Sequence, residues 1–172
     1  MKDALMVALA AAALMMAAPG VSHAQDARPD GFGLGLGQGT GVSGISGKVH
    51  TGDTAFQGVI GNWWGGWGVH TRRGYRRYRT GGLGFSGDIL FNMPSIHDAG
   101  AVTIAWNLGG GAAVGVHPDW MALRGQFVAG LEFLFPEVPL DVVLELRPSV
   151  RFVPFDLFPR FSAGGHIRFY IQ

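Results

Sequence analysis

Leu123-Arg-Gly-Gln-Phe-Val-Ala-Gly-Leu-Glu-Phe-Leu-Phe135, followed by Leu140-Asp-Val-Val-Leu-Glu-Leu-Arg-Pro-Ser-Val-Arg-Phe152, decides the fold. In the first stretch Leu123, Gly125, Phe127, Ala129, Leu131, Phe133 and Phe135 occupy alternate positions. Arg124, Gln126 and Glu132 fall between them, with Val128, Gly130 and Leu134. In the second, Leu140, Val142, Leu144, Leu146, Pro148, Val150 and Phe152 alternate with Asp141, Val143, Glu145, Arg147, Ser149 and Arg151. A repeat of two residues is the mark of a strand with two unlike faces. Pro136 to Pro139 supplies turn chemistry between the strands, so they form an antiparallel hairpin.

The same period extends in both directions. Phe161, Ala163, Gly165, Ile167, Phe169 and Ile171 oppose Ser162, Gly164, His166, Arg168 and Tyr170. Leu83, Phe85, Gly87, Ile89 and Phe91 oppose Gly84, Ser86, Asp88, Leu90 and Asn92. Val102, Ile104, Trp106, Leu108 and Ala112 oppose Thr103, Ala105, Asn107, Gly109 and Gly111. Three strands diluted by glycine come first: Gly31–Gly37, Val42–His50 and Thr54–Asn62. Phe32, Leu34, Leu36, Ile45, Val49, Phe56 and Ile60 are expected to point outward from them. Short connections at 38–41, 50–53, 93–100, 116–120, 136–139 and 153–159 make neighbouring strands antiparallel. A longer connection spans 63–80. The sequence predicts an all-β chain: an eight-stranded antiparallel up-and-down barrel over residues 30–172.

Composition bears on which face is inside. Glycine numbers 29, charged residues are only 15% and hydrophobic residues 48% of the chain. A water-facing surface normally carries more Lys and Glu and less Gly. On the mixed face Asp88, Glu132, Asp141 and Glu145 nearly balance Lys48, Arg124, Arg147, Arg151 and Arg168. A narrow lumen needs small residues for room and opposite charges that pair, because an unpaired buried charge is costly. These residues are therefore expected to form a salt-bridge network that plugs the barrel. The apolar face of Leu, Val, Ile, Phe, Ala and Gly suits a lipid-facing band, which makes this a transmembrane barrel. Closure also satisfies every backbone group in lipid. Trp63, Trp64, Trp67, Trp106, Trp120, Tyr75, Tyr78 and Tyr170 lie mainly near strand ends, as aromatic girdles do.

The N-terminus reads as a targeting segment. Lys2 precedes the unbroken apolar stretch Ala4 to Ala18, and Pro19-Gly20 ends it. Ser22 and Ala24 then stand at −3 and −1 of a cleavage site. This pattern predicts a signal peptide over 1–24, export through the Sec pathway, and a polar lead at 25–29. The stretch is short for a helix of about 20 residues that would span a bilayer.

Gly33-Leu-Gly-Leu-Gly37 leading to Gly41-Val-Ser-Gly-Ile-Ser-Gly-Lys48, and Gly130-Leu-Glu-Phe-Leu-Phe-Pro-Glu-Val-Pro-Leu-Asp-Val-Val-Leu-Glu-Leu-Arg-Pro148, carry a family resemblance. Across Phe32 to Ile171 the chain resembles short outer-membrane β-barrels of the OmpA/OmpX-like type. It is similar to an uncharacterised group of such proteins from Gram-negative bacteria. The resemblance implies the cell outer membrane as location and a structural or surface role. His166-Ile-Arg-Phe-Tyr-Ile-Gln172 also resembles the C-terminal strand read by the barrel-assembly machinery. It departs from that pattern in ending on Gln172, with its aromatic Tyr170 two residues earlier. With both termini in the periplasm, 38–41, 63–80, 116–120 and 153–159 face outward, and 50–53, 93–100 and 136–139 are periplasmic turns.

The outward segment 63–80 holds Arg72, Arg73, Arg76, Arg77 and Arg79 among aromatics. Guanidinium groups bind phosphate bidentately, so contact with phosphate-rich lipopolysaccharide is expected there, alongside outer-membrane lipids as partners. Net charge is only +1, which gives no general case for nucleic acid.

Little in the sequence points to catalysis. Cysteine is absent, which excludes disulfides and thiolate chemistry. The glycines Gly33, Gly35, Gly37 and Gly39 lack phosphate-loop spacing. Ser162 and His166 share a face but lie about 13 Å apart on an extended strand, too far for a local dyad. No His or carboxylate cluster has metal-ligand spacing. No catalytic residue, metal or cofactor is assigned, and the chain is expected not to be an enzyme. A lipid A-modifying outer-membrane enzyme or a narrow channel stays open as the alternative.

Overall fold

A computed structural model of the chain describes residues 28–29, 31–64, 81–153 and 156–171. Eight strands follow one another: β1 (Phe32–Gln38), β2 (Val42–Thr51), β3 (Thr54–Trp63), β4 (Leu83–Asp98), β5 (Thr103–His117), β6 (Trp120–Phe135), β7 (Leu140–Val153) and β8 (Asp156–Ile171). Each pairs antiparallel with the next, and β1 pairs with β8, so the sheet closes into a barrel with no free edge along its wall. One end carries the start of β1, the end of β8 and the β2–β3, β4–β5 and β6–β7 connections. This is the terminal end of the barrel, and the opposite one is the loop end.

Strand alternation places the side chains as the period of two requires. Phe32, Leu34, Leu36, Ile45, Val49, Phe56 and Ile60 are all exposed on the outer wall. So are Phe85, Ile89, Phe127, Leu144, Leu146, Ile167 and Phe169. Lys48, Asp88, Arg124, Glu132, Asp141, Glu145, Arg147 and Arg168 are buried inside. Eight strands leave an interior that side chains fill. Glycine supplies the room. A Cβ on Gly115 would come within 2.7 Å of the Trp63 ring, so that ring fits inside only because position 115 has no side chain.

Three expectations need correction. The segment 93–100 is not simply a turn, because β4 continues to Asp98. The β4–β5 register shifts between Met93 and His97 instead. Pro94 cannot donate to a ladder, and a bulge is one place a strand accepts it. The connections at 116–120 and 153–159 are shorter than expected, since β5 runs to His117, β6 begins at Trp120 and β8 begins at Asp156. Trp63 and Tyr170 are not girdle residues. Both point inward and are buried, because Trp63 shares parity with Gln57 and Val59, and Tyr170 with His166 and Arg168.

Candidate functional site

The candidate site is the filled lumen, and it is built in layers. Nearest the terminal end, the Lys48 ammonium on β2 donates to Glu132 on β6. Asn107 on β5 donates to the same carboxylate oxygen at 2.7 Å. Beside them Arg168 on β8 donates to Asp141 on β7 at 3.0 Å and to Gln57 on β3 at 2.6 Å. The Tyr170 hydroxyl donates to the other Asp141 oxygen at 2.9 Å. His50 stacks on Tyr170 with ring centroids 5.9 Å apart.

Gln57 links this layer to the middle one, where its amide donates to Glu145 at 2.9 Å. Arg147 is the hub. Its guanidinium donates to Glu145 at 2.6 and 2.7 Å and to Asp88 across the lumen at 2.9 Å. Gln126 donates to Asp88 and, at 3.0 Å, to the Ser86 hydroxyl. These side chains come from β3, β4, β6 and β7, so the layer ties distant parts of the wall together. Arg147 and Arg168 each expose 0% of their surface. Water reaches almost none of the ionic groups, and attraction in such a site is far stronger than at a surface.

Toward the loop end the lining becomes apolar. Val42, Val59, Trp63, Ala113 and Ala122 form one cluster, with Trp120 against it. Arg124 is buried and lies over the Trp63 ring at 4.8 Å, a cation–π contact. Arg151 is half-buried and sits across from Arg124 in the β6–β7 register. Arg72, Arg73, Arg76, Arg77 and Arg79 lie outside the described residues, as do the expected leader and residues 25–27.

Several members of the site were not singled out from sequence. Gln57, Asn107 and Gln126 carry no charge, so a balance of ions does not reveal them. Arg28 belonged to the polar lead, yet it is buried and bonded to Glu132. Ser46 donates or accepts at 2.9 Å with His166 Nδ1, and His166 Nε2 lies 2.9 Å from Glu145. His166 thus finds its serine on β2, one strand away over the glycines of β1, not at Ser162 on its own strand. The order serine, histidine, carboxylate is that of a nucleophilic triad. Here all three are buried, and Glu145 is already engaged by Arg147 and Gln57. Among the described residues no group of three or more His, Cys, Asp or Glu could hold a metal ion.

The chain matches no protein-family model, no curated protein and no solved structure. Its functional reading therefore rests on the geometry of the wall and lumen.

Proposed function

We propose that the chain is a small outer-membrane barrel with a structural or surface-interaction role, its outer wall in lipid and its lumen closed by the ionic network. One observation carries this reading: the usual order of a folded protein is inverted. Leu36 is 70% and Phe161 73% exposed, while Lys48, Glu132, Asp141, Arg147 and Arg168 are at most 1% exposed. In water such a wall would leave apolar surface uncovered around the sheet, where soluble monomers carry patches of a few hundred Å². In a bilayer the same wall meets acyl chains at no such cost, and the closed ladder leaves no unpaired edge. Ionic side chains that fill the lumen favour a plugged barrel over a wide pore.

In the same reading Arg72, Arg73, Arg76, Arg77 and Arg79 contact lipopolysaccharide phosphates. Replacing all five with Gln should weaken that binding, and unchanged binding would remove this part of the proposal. The main test is membrane fractionation followed by gel migration with and without boiling. The account expects recovery with the outer membrane and a band that shifts on boiling. A soluble monomer recovered without detergent would overturn it.

A further inference from the structure

Arg28 precedes β1 and belongs to no strand, yet only 8% of its surface is exposed. Its Nε donates to Glu132 at 3.3 Å. Its Nη2 donates to the carbonyl of Met93 at 2.9 Å and to that of Trp106 at 3.3 Å. The three acceptors come from β6, β4 and β5 and converge at the terminal end of the lumen. We propose that this mouth is a built guanidinium-binding site, filled in cis by Arg28. The inference rests on the barrel itself and not on the membrane reading.

The site is prepared without Arg28. Glu132 is fully buried and fixed by Asn107 and Lys48. Met93 pairs with Trp106 at the last regular step before the β4–β5 register breaks. Their carbonyls are therefore held where the ladder is interrupted, one on each strand. A planar guanidinium presents several N–H donors in a fixed fork and can span a carboxylate and two carbonyls. A compact ammonium of equal charge cannot reach all three at once.

Charge makes the occupant releasable. Glu132 already has Lys48 as a partner, so withdrawal of Arg28 leaves no stranded carboxylate. Withdrawal of Arg147 would strand two. Stranding is what makes loss of a buried partner severe. Arg28 thus acts as a latch in the mouth, just ahead of β1, and another guanidinium can take its place.

The test is chemical rescue of the refolded Arg28→Ala chain. Its thermal midpoint should fall by about 5 °C, from lost charged hydrogen bonds. Millimolar methylguanidinium should restore at least half of that fall, because a ligand bound only to the folded state stabilises it. Methylammonium at equal concentration should not, and neither cation should move the native chain. Adding Glu132→Gln to Arg28→Ala should abolish rescue. If Arg28→Ala does not fold alone, refolding yield is the readout: recovery specific to methylguanidinium supports the site, and none overturns it. An unchanged midpoint in Arg28→Ala, or equal rescue by both cations, also overturns it.

Discussion

Arg147→Met keeps most of the side-chain stem and removes the charge at the hub of the lumen. In the native chain one guanidinium lies 2.6 Å from Glu145 and 2.9 Å from Asp88, all three groups buried. Without it two carboxylates share a site that water barely enters. Removing one partner of a buried ion pair costs about 3–5 kcal/mol. Two features place this case at the lower end. Glu145 keeps bonds from His166 and Gln57 at 2.9 Å, and Asp88 keeps its bond from Gln126. The expected loss is therefore about 3 kcal/mol. Combining Arg147→Met with Glu145→Gln and Asp88→Asn neutralises the stranded groups and should recover about 2 kcal/mol of it. Urea unfolding in detergent micelles, followed by tryptophan fluorescence, measures both chains, and the slopes must match for the comparison to hold. The reasoning is refuted if Arg147→Met loses less than about 1 kcal/mol, or if the triple variant is no more stable than the single one.

Trp63→Ala should cost about 3–5 kcal/mol by the same unfolding assay, since it empties the space between Val42, Val59, Ala113 and Ala122 and removes the ring beneath Arg124. Gly44→Ala should destabilise by about 1–3 kcal/mol, because its Cβ would lie 2.7 Å from the Gly61 Cα on the paired strand. Gly87→Ala, whose Cβ meets nothing within 4 Å, should stay within about 0.5 kcal/mol of the native chain. Phe127→Arg, on the exposed side of β6, should cost about 2–4 kcal/mol in lipid vesicles if it sits at mid-bilayer. Refolding yield and unfolding midpoint in vesicles check it.

The faces of β6, β7 and β8 were legible because charges mark one parity and large apolar residues the other. In β1 to β3 glycine thins the signal, but Phe32, Leu34, Ile45 and Phe56 suffice to orient each strand. Aromatics were harder. Trp63 near a strand end is compatible with a girdle or a lumen, and what decides is Gly115 on β5, which leaves space for its ring. That is a fact about register, and register between strands is not written in either strand alone. The register shift in β4 was hidden for a similar reason, since Pro94 marks a turn and an interrupted ladder equally well. Lumen partners such as Ser46 with His166, 120 residues apart, emerge only when the sheet closes. Arg28 had no period to belong to, and nothing before closure distinguishes it from a solvated lead.

The central claim is that the exposed apolar wall touches hydrocarbon. The chain has no cysteine, so single cysteines at Leu34, Ile60 and Phe127 can carry nitroxide labels without background. In reconstituted vesicles the account predicts that all three labels collide with dissolved oxygen far more than with a water-soluble nickel chelate. Greater collision with the nickel chelate at these positions would contradict it.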